Sequence, residues 1–239
     1  MIVAFGELTF FVALAALALP AVVLGLTGRN LKYYGLFATV AMLGITLAGS
    51  LKQLALLGAF LVGETVLMKL HLWFITTHGN KNAWERRAAV VLALLPLILV
   101  KVTGLFHFPS LGFIGVSYLT FRAVQVIVEI SDKLIKSQSV LDHLYFVAFF
   151  PTVSSGPIDR SRRFLQDAER RFKPGEYLAV LGRGLWLIVL GAFYKFALAT
   201  LFAGWLRDLP DSRWGTVLYM YYYGFNLFFD FAGYSLMAV

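Results

Sequence analysis

Residues 149–164 read FFPTVSSGPIDRSRRF: an aromatic entry, two prolines around a Ser-Ser-Gly turn, and an exit dense in arginine. No regular helix runs through such a stretch. Pro151 and Pro157 lack backbone donors, and each pushes the residue before it out of the helical region. The stretch also closes a short apolar run, Leu144 to Val153, about half of the roughly 20 residues that a bilayer crossing needs. Non-helical backbone at membrane depth is tolerated only where protein buries it or where it lines a water-filled cavity. The reading is a re-entrant break, with Ser154 and Ser155 free to satisfy backbone groups or to present hydroxyls to a ligand. Asp159 and Arg160 stand at its exit.

The flanking sequence has the texture of a membrane. Of its 239 residues, 59% are hydrophobic and 14% charged, against roughly 45–50% and about 25% in soluble domains. Apolar segments near 9–26, 33–51, 54–77, 88–106, 111–130, 177–206 and 216–239 are long enough to predict seven spans. The expected fold is therefore an all-α membrane protein, a polytopic helix bundle of about seven full spans plus one re-entrant segment, forming one domain. No linker or low-complexity tract divides it.

Charge sets the expected orientation. Arg29 and Lys32 follow the first span, Lys81, Arg86 and Arg87 the third, and Lys133 and Lys136 the fifth, whereas Lys52 stands alone after the second. Basic loops stay cytoplasmic, which predicts an external N-terminus and a cytoplasmic stretch 158–176. The net charge of +8 has the same origin, so no nucleic-acid partner is expected. The absence of cysteine excludes disulfides and any thioester held on a Cys of this chain. The N-terminus, with Glu7 and no cation before its apolar run, does not read as a signal peptide.

Ionisable groups at membrane depth are costly and usually face the bundle interior or an aqueous cavity. Glu64 and His71 share one helix face with Met68 between them, while Lys69 points elsewhere and snorkels. No third ligand joins the pair, and no metal site is expected. Arg122, Gln125 and Glu129 form a stripe that could line a polar path or pair with other helices. In the last span Asn226, Asp230 and Gly233 recur on one face. That face either packs tightly, with a neighbour's donor satisfying Asp230, or shapes a reaction chamber. After the break, Arg160, Arg162, Arg163, Arg170, Arg171 and Lys173 interleave with Asp159, Asp167, Glu169 and Glu176. They read as an amphipathic helix on anionic headgroups or as a docking surface for an acidic partner.

Three segments together carry a resemblance. GVSYLTFRAVQVIVEI (115–130), FFPTVSSGPIDR (149–160) and LFFDFAGYSLMAV (227–239) resemble the G-I-S-F-x-T-F span, the F-F-P-x-x-x-x-G-P-I element and the D-F-S-G-Y-S-x-M-A helix of the membrane-bound O-acyltransferases. The wording of the last two is most similar to the branch that D-alanylates teichoic acids, ahead of relatives that O-acetylate alginate-type polysaccharides. The resemblance covers residues 111–239, and the earlier spans fit it in general texture.

It implies a helix bundle around a tunnel in the plasma membrane. D-Alanine would pass from the phosphopantetheine thioester of an acidic cytoplasmic carrier protein to an external envelope polymer or an intermediate acceptor, with no cofactor bound to the chain itself. Ser154, Ser155, Asp159, Arg160, Arg122, Asn226 and Asp230 become tunnel or structural candidates. The family's catalytic histidine lies downstream of the D-F-x-G-Y-S helix, and His71, His78, His107 and His143 match no catalytic position. The sequence is thus expected to be the N-terminal portion of a longer protein, without full activity by itself. A transporter or channel is the alternative of another class, and a membrane assembly factor without chemistry is a third.

Overall fold

The computed structural model describes residues 8–79, 83–106, 112–153, 156 and 159–238, and every regular element among them is helical. Helices α1 (Leu8–Leu26), α2 (Lys32–Leu47), α3 (Leu51–His78), α4 (Ala83–Leu105) and α5 (Val116–Ser131) precede a short α6 (Val140–Ala148). Then come α7 (Ser161–Glu169), α8 (Pro174–Ala192), a π-helical turn (Phe193–Leu198), α9 (Ala199–Trp205) and α10 (Arg213–Ala238). The chain divides into two compact units, Met1–Ser154 with Ile158–Pro174, and Ser155–Pro157 with Gly175–Val239.

Each of the seven expected apolar segments is helical. Among the described residues, three helical stretches are both long and apolar enough to cross a membrane: Leu51–His78, Trp84–Leu105 and Pro174–Trp205. Helices α5 and α10 differ from these for separate reasons. Helix α5 has 16 residues, about 24 Å at 1.5 Å per residue, against about 30 Å of hydrocarbon. Helix α10 is long but dilutes its hydropathy with tyrosines, glycines, Asn226 and Asp230.

In the first unit α5 is the central helix. Val116, Leu119, Ala123, Val126, Ile127 and Ile130 recur at helical spacing and are all buried. They pack against α3, α4 and α6, and Met68, Phe146 and Val147 complete a core from which solvent is excluded. Gly115 caps the start of α5 with φ +85°. A Cβ there would strike the Val153 carbonyl, so glycine serves both the left-handed backbone and the close approach.

The expected break is present. Helix α6 ends at Ala148, Phe149 leaves helical geometry at φ −48°, ψ 110°, and Phe150–Thr152 form a single 3₁₀ turn containing Pro151. The helix begins at Val140, ahead of the apolar run, because Ser139 caps it by accepting from the Asp142 amide at 3.0 Å.

The second unit is a helical pair. The stretch α8–π–α9 packs along α10. Gly191 and Gly233 lie face to face, each so close to the other's carbonyl that neither has room for a Cβ.

Candidate functional site

The break and the α5 stripe come together in the first unit. Arg122 is 2% exposed. Its guanidinium lies 4.8 Å from the Phe146 ring centroid and 6.0 Å from that of Phe149. Nη1 points at the Val147 carbonyl at a long 3.5 Å, and Nε has no hydrogen-bond partner. Arg122 thus packs on the aromatic end of α6 and the entry to the broken segment.

One helical turn further along α5, Gln125 keeps a buried amide oxygen without a partner. Two turns on, Glu129 accepts from the Ser161 hydroxyl at 2.7 Å, with Ser161 fully buried and Glu129 5% exposed. Of the stripe's two charged members, Glu129 pairs with the element after the break, whereas Arg122 packs on α6 and Phe149 before it.

Asp159 precedes α7 and accepts from the Arg160 amide at 2.8 Å, placing negative charge at the helix start. Arg163 lies 3.7 Å from Asp159 and 3.8 Å from Asp167, and Arg160 is exposed. Helix α7 is amphipathic: Phe164 stacks among Tyr145, Phe146 and Phe149 at centroid distances of 4.9, 5.5 and 4.9 Å, while Arg162 and Arg163 face outward. Ser154 and Ser155, the hydroxyls expected in the turn itself, lie outside the described residues.

Two further arrangements have no strong local signature. Lys32, at the start of α2, reaches Asp142 of α6 and Glu169 of α7, each at 2.6 Å. Burial opposes its charge, but hydrogen bonds and Coulomb attraction from both carboxylates outweigh that cost and raise it to about 12. Glu169 was visible among the acids after the break, but its contact with a lysine 137 residues away was not. His143, on α6, is 1% exposed with neither ring nitrogen hydrogen-bonded. The Gln138 side-chain amide is likewise unpartnered, while the Gln138 backbone carbonyl accepts from the Lys69 ammonium at 2.7 Å.

On α3, Glu64 and His71 are both buried on one face, as expected. Glu64 keeps one unpartnered oxygen. His71 Nε2 lies 2.9 Å from Ser131 Oγ, whose proton goes to the Ile127 carbonyl.

In the second unit the polar face of α10 turns toward α8 and α9. The Asn226 amide donates to the Ala199 carbonyl at 2.7 Å, just past the π turn, where backbone pairing is out of α-helical register. Asp230 pairs with Lys195, which the π turn carries. The neighbour's donor expected for Asp230 is thus a lysine in the π turn. The signal for it was a lone cation inside an apolar run.

No family model matches the sequence. Three curated proteins named teichoic acid D-alanyltransferase do. The one from Bacillus subtilis (strain 168) is 36% identical over 98% of this chain and 62% of its own length. That of Lacticaseibacillus rhamnosus is 37% identical over 96% and 61%, and that of Streptococcus thermophilus 34% over 98% and 59%. The chain spans about three fifths of the length of these relatives. Nearly every part of it, the early helices as well as the three signature segments, is therefore similar to teichoic acid D-alanyltransferases.

Proposed function

We propose that this chain forms part of a membrane-bound O-acyltransferase that moves D-alanine toward teichoic acid or a similar envelope polymer. The observation that carries the reading is the end-to-end similarity to three proteins of that name. It is supported by a proline-broken segment whose flanking helices α6 and α7 meet a buried arginine and a buried carboxylate of α5. The donor is a thioester on the phosphopantetheine arm of an acidic cytoplasmic carrier. The acceptor hydroxyl oxygen attacks the thioester carbonyl, the thiolate leaves, and a general base takes the hydroxyl proton.

The described residues contribute architecture and charge. Arg122 and Glu129 are positioning residues that fix the break and α7. The outward arginines of α7 give an acidic carrier a complementary surface. The protein is a multi-pass protein of the plasma membrane with α7 on the cytoplasmic side, a reading that the distribution of basic loops supports. The base is assigned to no residue described above.

Vesicles containing the full-length gene product, a labelled D-alanyl carrier and the acceptor polymer test this directly. Label should appear on the polymer in alkali-labile linkage. Label that crosses as free D-alanine would favour a transporter, and acetyl transfer with no D-alanyl transfer would move the protein to the polysaccharide-acetylating branch.

A further inference from the structure

A cleft of about 460 Å³ opens where α1 ends and α2 begins, lined by Leu24, Gly28, Arg29, Asn30, Tyr33 and Arg171 among others. Its shape comes from a local rule. Gly28 adopts φ +72°, its amide returns to the Gly25 carbonyl and the Arg29 amide to the Leu24 carbonyl. This is the Schellman ending that a C′ glycine permits. The chain is thereby reversed directly into Arg29 and Asn30, and Arg171, just after α7, closes the other side.

The charge of this cleft is unspent. Lys32 is committed to Asp142 and Glu169, so it neither fills the cleft nor leaves those two acids free. Arg29 and Arg171 are exposed, and neither has an ion-pair partner among the described residues. The first amides of α2 add to the positive field, because Leu31 makes no side-chain cap. Two guanidinium groups and a helix start facing one cavity suit a phosphate, which accepts paired hydrogen bonds from each arginine.

The surroundings indicate what carries the phosphate. From the cleft, Leu19, Val23 and Leu26 run along an exposed face of α1, and Tyr33, Phe37 and Val40 along an exposed face of α2. Both stripes keep the four-then-three spacing of a single helix face. Tyr33 stands at their head, where aromatic residues settle at the headgroup level. A soluble phosphate would use the arginines and leave these apolar stripes without a role.

We infer that this cleft is a binding site for the headgroup of an anionic glycerophospholipid, with its acyl chains lying on the exposed faces of α1 and α2. The site is independent of the acyl-transfer reading, since it needs only a bilayer that contains anionic lipid.

The test uses the full-length protein in nanodiscs of phosphatidylcholine with a minor fraction of phosphatidylglycerol, counting retained lipids by native mass spectrometry. The wild type should retain phosphatidylglycerol over phosphatidylcholine. Arg29→Gln with Arg171→Gln should weaken that preference about tenfold or more, given the usual contribution of a basic residue near an anionic surface. Arg29→Lys with Arg171→Lys should keep part of it, which separates loss of charge from loss of fold. Arg207→Gln, in the other unit, should leave it unchanged. Equal retention of the two lipids by the wild type, or an unchanged preference in the glutamine variant, would overturn the site. Displacement of the lipid by soluble glycerol 3-phosphate at equal concentration would overturn its assignment to a membrane lipid.

Discussion

Glu129 Oε2 accepts a 2.7 Å hydrogen bond from Ser161 Oγ, and both side chains are shut away from solvent. Glu129 lies near the end of the central helix and Ser161 is the first residue of the amphipathic helix after the proline break. This one contact therefore sets where α7 begins relative to α5. Ser161→Ala leaves a buried carboxylate oxygen without its donor, at a cost of about 1.5–3 kcal/mol. Tryptic cleavage after Arg162 and Arg163 and hydrogen exchange across 161–169 should both accelerate. Unchanged exchange in that segment would count against a docking role.

Arg122 is held by ring faces and one long carbonyl contact rather than by a matched carboxylate. Arg122→Lys should destabilise the protein in a detergent melt, because an ammonium cannot lie flat on Phe146. Arg122→Met fills a similar volume without a buried charge, and it should recover most of the loss that Arg122→Ala incurs, about 3 kcal/mol. If the lysine variant melts like the wild type, the ring stacking is not what retains the arginine.

Gly115 joins two of the three signature segments by letting α5 start against the Val153 carbonyl. Gly115→Ala adds a strained positive φ to a clash with backbone, which cannot swing aside as a side-chain end would. A loss of about 2–4 kcal/mol is expected, against a gain of up to about 1 kcal/mol for Gly63→Ala, inside α3 where a Cβ has open space.

Lys195 and Asp230 form one unit between the π turn and α10. A double-mutant cycle with Lys195→Met and Asp230→Leu should therefore be non-additive, with a coupling of about 1 kcal/mol in a bilayer or bicelle. Simple additivity would mean that the two charges are satisfied elsewhere.

The elements that were legible in the sequence owe this to short-range rules. Helix α5 follows from the spacing of Val116, Leu119, Ala123, Val126 and Ile130, the break from Pro151 and its neighbours, and the packed face of α10 from Asn226, Asp230 and Gly233. What escaped depends on distant pairing. Nothing local tells Lys32 that Glu169 will lie beside it, or Ser161 that it will meet Glu129. Lys195 looked like one cation in an apolar run because a π turn, which reorients side chains by a fraction of a turn, has no reliable sequence mark. The span count rested on apolar length alone, and α5 trades part of that length for Arg122, Gln125 and Glu129.

The D-alanine ester content of the envelope polymer measures the proposed acyl transfer most directly. Deleting the gene should remove alkali-labile D-alanine from teichoic acid or its counterpart in the organism, and restoring the full-length gene should return it. An ester content that stays at the wild-type level in the deletion strain, with the carrier still charged, would contradict the account.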